Sequence, residues 1–136
     1  MKKYKFLLVA SNFYPEITLN LLKGAQQYLE KNGHYFDTTF TKGSLEIPTK
    51  ISLKLNKRKY DAVVAIGCII KGKTDHYDFI ANAITKTLLE LSIQKKLPIS
   101  NSVLTCKNIK QAKERSSKKL NRAKEAVEAA IAVLQD

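Results

Sequence analysis

Several things are scarce in this sequence, and each scarcity excludes something. There are two cysteines in 136 residues, Cys68 and Cys106, and they lack CxxC spacing. No disulfide framework or thiolate metal site is readable from them, and reduced thiols in a cytosol are the expectation. No apolar run is long enough to span a bilayer. Lys2 and Lys3 precede Phe6-Leu7-Leu8-Val9-Ala10, but that run is short and passes into polar Ser11-Asn12. It reads as a buried strand and not as a signal peptide. No repeat, low-complexity tract or linker divides the chain, so residues 1–136 are expected to form one domain. Acidic residues are half as numerous as basic ones, 12 against 24, giving a formal net charge of +12. Arginine is scarce within that excess. Arg58, Arg115 and Arg122 are the only arginines; all other basic residues are lysine.

The basic excess invites a nucleic-acid reading. The lysines are spread along the chain, however, and no aromatic residues alternate with them as a stacking platform requires. Solvated lysine is the reading adopted, with neither nucleic acid nor membrane as partner. The 44% hydrophobic content supports a folded globule, and the length suffices for a core without a staple or structural metal.

The segments alternate in period. Tyr4–Ala10 is strand-like. Over Glu16–Asn32, Ile17, Leu21, Leu22, Ala25, Tyr28 and Leu29 recur at helical spacing, with Pro15 before and Gly33 after. His34–Thr41 alternates as a strand does, and His34 has no partner in sight. Pro48–Arg58 predicts a helix, Tyr60–Ile66 a buried strand, and His76–Lys95 a long helix with Ile80, Ala83, Ile84, Leu88 and Leu91 on one face. Pro98–Thr105 predicts a fourth strand. Asn108–Arg115 and Leu120–Leu134 predict two closing helices. Strand–helix alternation of this kind implies a parallel sheet with helices on both faces. Its ligands bind beyond the carboxyl ends of the strands.

One motif misleads. Gly67-Cys68-Ile69-Ile70-Lys71-Gly72-Lys73-Thr74 satisfies the phosphate-loop pattern G-x-x-x-x-G-K-[ST]. Its interior is Cys-Ile-Ile-Lys, so the strand is expected to run on through the supposed loop, and no later strand ends in an Asp for Mg²⁺. Lys73 and Thr74 nevertheless precede a helix, where free N–H groups favour an anion. His76 opens that helix, with Asp75 and Asp78 as capping candidates. A neutral imidazole there can transfer protons; a plain surface histidine is the alternative. Glu46 in Gly43-Ser44-Leu45-Glu46-Ile47-Pro48 is either a polyol acceptor or a carboxylate stabilised by the helix dipole. Phe13 either stacks on a planar ring or covers the core edge. Arg115 and Arg122 can reach an anion or remain solvated.

Together these blocks resemble the 6,7-dimethyl-8-ribityllumazine synthase family. Ser11-Asn12-Phe13 resembles its aromatic turn after the first strand. Gly43 to Pro48 resembles G-A-[FY]-E-[IL]-P, and Gly67 to Asp78 resembles G-x-V-I-R-G-x-T-x-H-[FY]-[DE], with Lys73 at a variable position. Leu97 to Thr105 resembles V-P-[VI]-x-x-G-[VI]-L-T. Asn108 to Arg115 resembles E-N-x-x-Q-A-x-x-R. The departures are Ser44 for Ala, Lys71 for Arg, Asn101 for a Phe lining the pyrimidine pocket, Ser102 for Gly, and Asn121-Arg122-Ala123 for N-K-G after a loop one residue shorter.

The resemblance implies a flavodoxin-like three-layer α/β/α sandwich, four parallel strands in the order 2-1-3-4. It implies a transferase of riboflavin biosynthesis that needs neither metal nor organic cofactor. Phe13 is implied to stack on the pyrimidinedione. Ser44, Leu45 and Glu46 would hold the ribityl chain, and the backbone of Cys68, Ile69 and Ile70 would face the pyrimidine beside Asn101. Lys73, Thr74 and Arg115 would bind the phosphate of the second substrate, with Arg122 near, and His76 would shuttle protons. The implied partners are small-molecule substrates and further copies of the chain. A cytoplasmic homopentamer with active sites at subunit interfaces is expected. A decamer, a 60-subunit shell and an association with riboflavin synthase are extensions of it. The alternatives are a lumazine or flavin carrier that has lost catalysis, motivated by Asn101, and a basic nucleic-acid-binding protein.

Overall fold

The computed structural model describes residues 2–72 and 76–135. Four parallel strands make one sheet: β1 (Lys5–Ser11), β2 (Tyr35–Thr41), β3 (Ala62–Ile70) and β4 (Ile99–Cys106), in the order β2-β1-β3-β4. The helices among the described residues are α1 (Pro15–Lys31), α2 (Ile47–Lys57), α3 (His76–Lys95), α4 (Ile109–Arg115) and α5 (Arg122–Leu134). A 3₁₀ turn, Ser44–Glu46, leads into α2. The arrangement is a three-layer, flavodoxin-like α/β sandwich.

The alternation of side chains along each strand divides the core in two. Phe6, Leu8, Val64 and Ile66 face α1 and α5, meeting Leu21, Leu29 and Val127. Leu7, Val9, Val63 and Ala65 face α2 and α3, meeting Ile47, Ile51, Ile84 and Leu88. Each of the fully buried Leu, Ile and Phe side chains contributes about 1.5–3 kcal/mol relative to exposure. β1 and β3 are apolar on both faces because both are central strands covered on both sides.

Local chemistry sets the boundaries. Pro15 opens α1, and beyond its end Gly33 takes φ +77°, which only glycine adopts without strain. The Asn108 side chain accepts from the Gln111 amide at α4. Asn121 Oδ1 accepts from the amides of Ala123 and Lys124 at α5. β3 runs to Ile70, through the segment that matched the phosphate-loop pattern. A loop that cradles phosphate cannot also be paired as strand.

Two local expectations need correcting. His34 lies one residue before β2, and it does have a partner: Nδ1 accepts from the Tyr4 amide at 3.0 Å. The contact spans thirty positions, so local pattern does not reveal it. Ala83 does not belong to the buried face of α3. Ile84 and Leu88 are buried, Ile80 and Leu91 pack against them, and Ala83 is exposed.

Candidate active site

The chain leaves β1 for β2 on one side and returns to β3 on the other. The carboxyl ends of β1 and β3 therefore flank the point where strand order reverses, and crevices in such sheets form there. Phe13 follows β1 at this rim. The residue is 67% exposed, and its ring stands edge-on to Tyr14 with centroids 5.0 Å apart. An aromatic face left open beside a crevice is available for stacking.

The segment after β2 is drawn to the same rim. The Asn12 amide donates to the Thr41 carbonyl at 2.8 Å, and the Thr41 hydroxyl donates to the Gly43 carbonyl at 2.7 Å. Ser44 is buried, with its hydroxyl 3.4 Å from that of Ser11. Gly67 of β3 lies beneath this pair. A Cβ there would stand 2.8 Å from each hydroxyl oxygen, so a glycine is required for the turn to approach the sheet. Leu45 and Glu46 are exposed. The Gly43 amide donates to Glu46 Oε1 at 2.9 Å. Both sequence readings of Glu46 survive: one contact stabilises its own turn, yet a carboxylate offers about four lone-pair sites, leaving capacity for hydroxyl groups.

At the end of β3, Cys68 is buried while Ile69 and Ile70 are half-buried. Burial, with the Cys106 thiol beside it, pushes the Cys68 thiol up to about 12. It is held protonated, and the chemistry this segment offers is that of its backbone. The Lys71 amide donates to the Cys106 carbonyl at 2.8 Å. Lys73, Thr74 and Asp75 lie outside the described residues. His76 is the first residue of α3 and is exposed, as is Asp78.

The remaining sequence-predicted residues form a second group along the outer edge of β4. Asn101, Ser102, Thr105, Arg115 and Arg122 line one cleft of about 420 Å³. Arg115 Nη1 donates to the Thr105 carbonyl at 3.3 Å and to Cys106 Sγ at 3.5 Å. Arg122 is exposed, and its Nη1 stands 3.4 Å from Glu125 Oε2. Asn101 turns onto its own strand: Oδ1 accepts from the Val103 amide at 2.9 Å, and Nδ2 donates to Thr85 Oγ1 at 3.4 Å. The Ser102 hydroxyl is buried and has no partner among the described residues.

Within one chain the first group gathers between β1 and β3, and the second lies on the far side of β3 at the edge strand β4. Asn101 is in register with Ala65, whereas Cys106 is in register with Ile70 at the strand end. The Ser44 turn rests on Gly67, which is in register with Val103. At ~3.3 Å per residue, Asn101 therefore lies ~7 Å below that turn and ~16 Å below Cys106. Sequence reasoning passed over Ser11 and Cys106 as contacts of Ser44 and Arg115. Only the strand register, a tertiary fact, brings them together. Among the described residues no group of three or more His, Cys, Asp or Glu side chains is placed to hold a metal ion. None of the helices there is long and apolar enough to cross a membrane.

Comparison with known proteins gives a consistent result. Residues 3–136 match the 6,7-dimethyl-8-ribityllumazine synthase family. A protein of that name from Bartonella tribocorum is 40% identical over 135 residues, covering 98% of this chain and 89% of the relative. One from Methylobacterium radiotolerans is 37% identical over 131 residues, covering 96% and 80%. One from Buchnera aphidicola is 40% identical over 132 residues, covering 93% and 82%.

Proposed function

The chain belongs to the 6,7-dimethyl-8-ribityllumazine synthase family, and from that premise we propose how its residues carry the reaction. It is a transferase of riboflavin biosynthesis. It condenses 5-amino-6-(D-ribitylamino)uracil with 3,4-dihydroxy-2-butanone 4-phosphate. The products are 6,7-dimethyl-8-ribityllumazine, phosphate and water. The family match along nearly the whole chain carries this reading.

Phe13 stacks on the pyrimidinedione, and the half-buried end of β3 presents backbone groups of Cys68, Ile69 and Ile70 to its polar edge. Ser44, Leu45 and Glu46 hold the ribityl chain, with Glu46 accepting from its hydroxyl groups. Lys73, Thr74 and Arg115 bind the substrate phosphate, and Arg122 adds positive charge near it. The amine attacks the ketone and water leaves, giving an imine. Phosphate is then eliminated, and the second nitrogen attacks the remaining carbonyl and closes the ring with loss of a second water. His76, exposed at the start of α3, moves protons between these steps. Holding two substrates together supplies most of the acceleration, and general acid–base transfer adds a smaller factor.

The β4-edge group serves an adjacent copy of the chain. As the family resemblance implies, Asn101 and Arg115 complete a neighbour's site; their place on the outer edge of β4, with β3 between them and β1, leaves them open to an adjacent copy. Exposed Phe79, Leu89 and Ile93 on α3 supply apolar surface for that contact. A pentamer is the assembly proposed, with larger shells and riboflavin synthase as further partners; a light-scattering mass tests the copy number. Mixing purified protein with both substrates should produce the absorbance of the lumazine.

One observation favours a second reading. Asn101 stands where a ring would line the pyrimidine pocket, and its amide is already engaged with Val103 and Thr85. A carrier without catalysis fits that loss. It predicts binding of the lumazine with no product from the two substrates.

A further inference from the structure

Between α1 and α5, on the face of the sheet opposite α2 and α3, lies a cleft of about 700 Å³. Neither group of candidate site residues lines it. Lys23, Lys31, Lys118 and Lys124 do, together with Gln27, Ser117 and Tyr28, and no Asp or Glu is among its walls. Two lysines outside the cleft have carboxylate neighbours, Lys5 with Asp37 at 3.6 Å and Lys86 with Glu90 at 4.0 Å. None of the four cleft lysines has one within 4 Å among the described residues. The Lys124 ammonium lies 5.8 Å from the centroid of the Tyr28 ring, which orients one charge at the cleft. The floor is rigid. α1 and α5 touch at Gly24, where a Cβ would stand 2.2 Å from the Asn121 side chain. Asn121 is already satisfied by the Asn20 carbonyl and the amides of Ala123 and Lys124. The anion preference of this cleft therefore comes from its lysines and not from the end of α5.

Like charges gathered around a concave surface repel one another, and a bound polyanion relieves that repulsion. We propose that the α1–α5 cleft binds a compact chain of linked phosphates. Its volume falls within the ~300–1,000 Å³ of small-ligand sites. Lysines are point charges without the planar fork of arginine, so they follow a flexible phosphate chain rather than one planar carboxylate. Gln27 and Ser117 supply neutral donors. Nucleic acid is disfavoured here: one tyrosine is no platform for successive bases.

The test is isothermal titration of the full chain with tripolyphosphate at low salt. Saturable binding of one equivalent per chain is expected, weakening steeply as NaCl is added. Lys23→Gln/Lys31→Gln/Lys124→Gln should bind at least about tenfold more weakly, because three of the four cleft charges are gone. Lys57→Gln/Lys59→Gln/Lys95→Gln, exposed positions outside the cleft, removes equal charge and should stay within about twofold. Both triple variants should keep parental lumazine formation. Arg115→Ala should keep tripolyphosphate binding, which separates this cleft from the substrate-phosphate site. Absence of saturable binding, equal weakening by the two triple variants, or loss on Arg115→Ala would each overturn the proposal. Tighter binding of a single-stranded oligonucleotide than of tripolyphosphate would also overturn it, in favour of nucleic acid.

Discussion

Arg115 is held by Cys106: Nη1 lies 3.5 Å from the buried sulfur and 3.3 Å from the neighbouring Thr105 carbonyl. An otherwise flexible guanidinium is thereby pinned at the carboxyl end of the edge strand, and its other donors have no partner among the described residues. Arginine is suited to phosphate because those donors form a planar fork. Arg115→Ala should raise KM for the phosphate substrate by about tenfold or more, the loss expected for one charge-assisted pair, and leave KM for the pyrimidine near its parental value. Steady-state kinetics with each substrate varied in turn checks this. A change confined to the pyrimidine KM would remove Arg115 from the phosphate site.

His76 makes a different prediction, because it is exposed and its removal opens no cavity. His76→Ala should slow turnover by roughly ten- to a thousandfold, around and below the usual range for a general acid–base group. The thermal midpoint should be nearly unchanged. An unaltered kcat would leave His76 as the plain helix-start histidine that its position also allows.

The order of strands and helices was legible because core positions impose their period on the sequence. Ile17, Leu21, Leu22, Ala25 and Leu29 mark the buried side of α1. The unbroken apolar run of β3 marks a strand covered on both faces. The rim residues were legible for the same topological reason, since each follows a strand. Less legible was anything that depends on register. Nothing local says that Ile70 lies beside Cys106, that Ser11 meets Ser44 above Gly67, or that His34 reaches Tyr4. The division of the candidate site into two groups is likewise a consequence of pairing, with β3 between β1 and the edge strand β4.

His34 gives stability a pH dependence. It is buried, stacks on the Tyr4 ring at 5.5 Å, and accepts the Tyr4 amide through an unprotonated Nδ1. Burial lowers its pKa from the ordinary 6.5, so the folded state resists a proton that the unfolded chain accepts. The contribution is complete above about 6.5 and is lost as pH falls from there through the lowered value. Urea midpoints measured across that range should fall with acidity more steeply for the parent than for His34→Gln. Parallel pH profiles would show that His34 is not the group responsible.

The two thiols should be inert while the protein is folded. Cys106 is fully buried, and Cys68 is held protonated by burial and by the sulfur beside it. Thiolate is the reactive form. A chromogenic disulfide reagent at pH 8 should therefore react with the native chain far more slowly than with the chain in guanidinium, where both thiols titrate promptly. Fast native reaction of either thiol would contradict the packing described for the ends of β3 and β4.

Gly67 links fold to site most directly. Its missing Cβ lets the Ser44 turn settle against β3, with both hydroxyls only 2.8 Å from where that atom would be. Ser11 and Ser44 are buried and cannot swing into solvent. Gly67→Ala must therefore push the turn outward, at the ~1–3 kcal/mol typical of overpacking. For a chain of this size that lowers the thermal midpoint by roughly 3–12 °C. The displacement carries Leu45 and Glu46 with it, so KM for the ribityl-bearing substrate should rise as well. Ser44→Ala removes one of the two obstructing oxygens. Added to Gly67→Ala, it should recover part of both losses, a non-additivity expected only of groups in contact. Simple addition of the two single effects, in thermal melts and in kinetics, would mean that the turn does not rest on Gly67 in the way the geometry indicates.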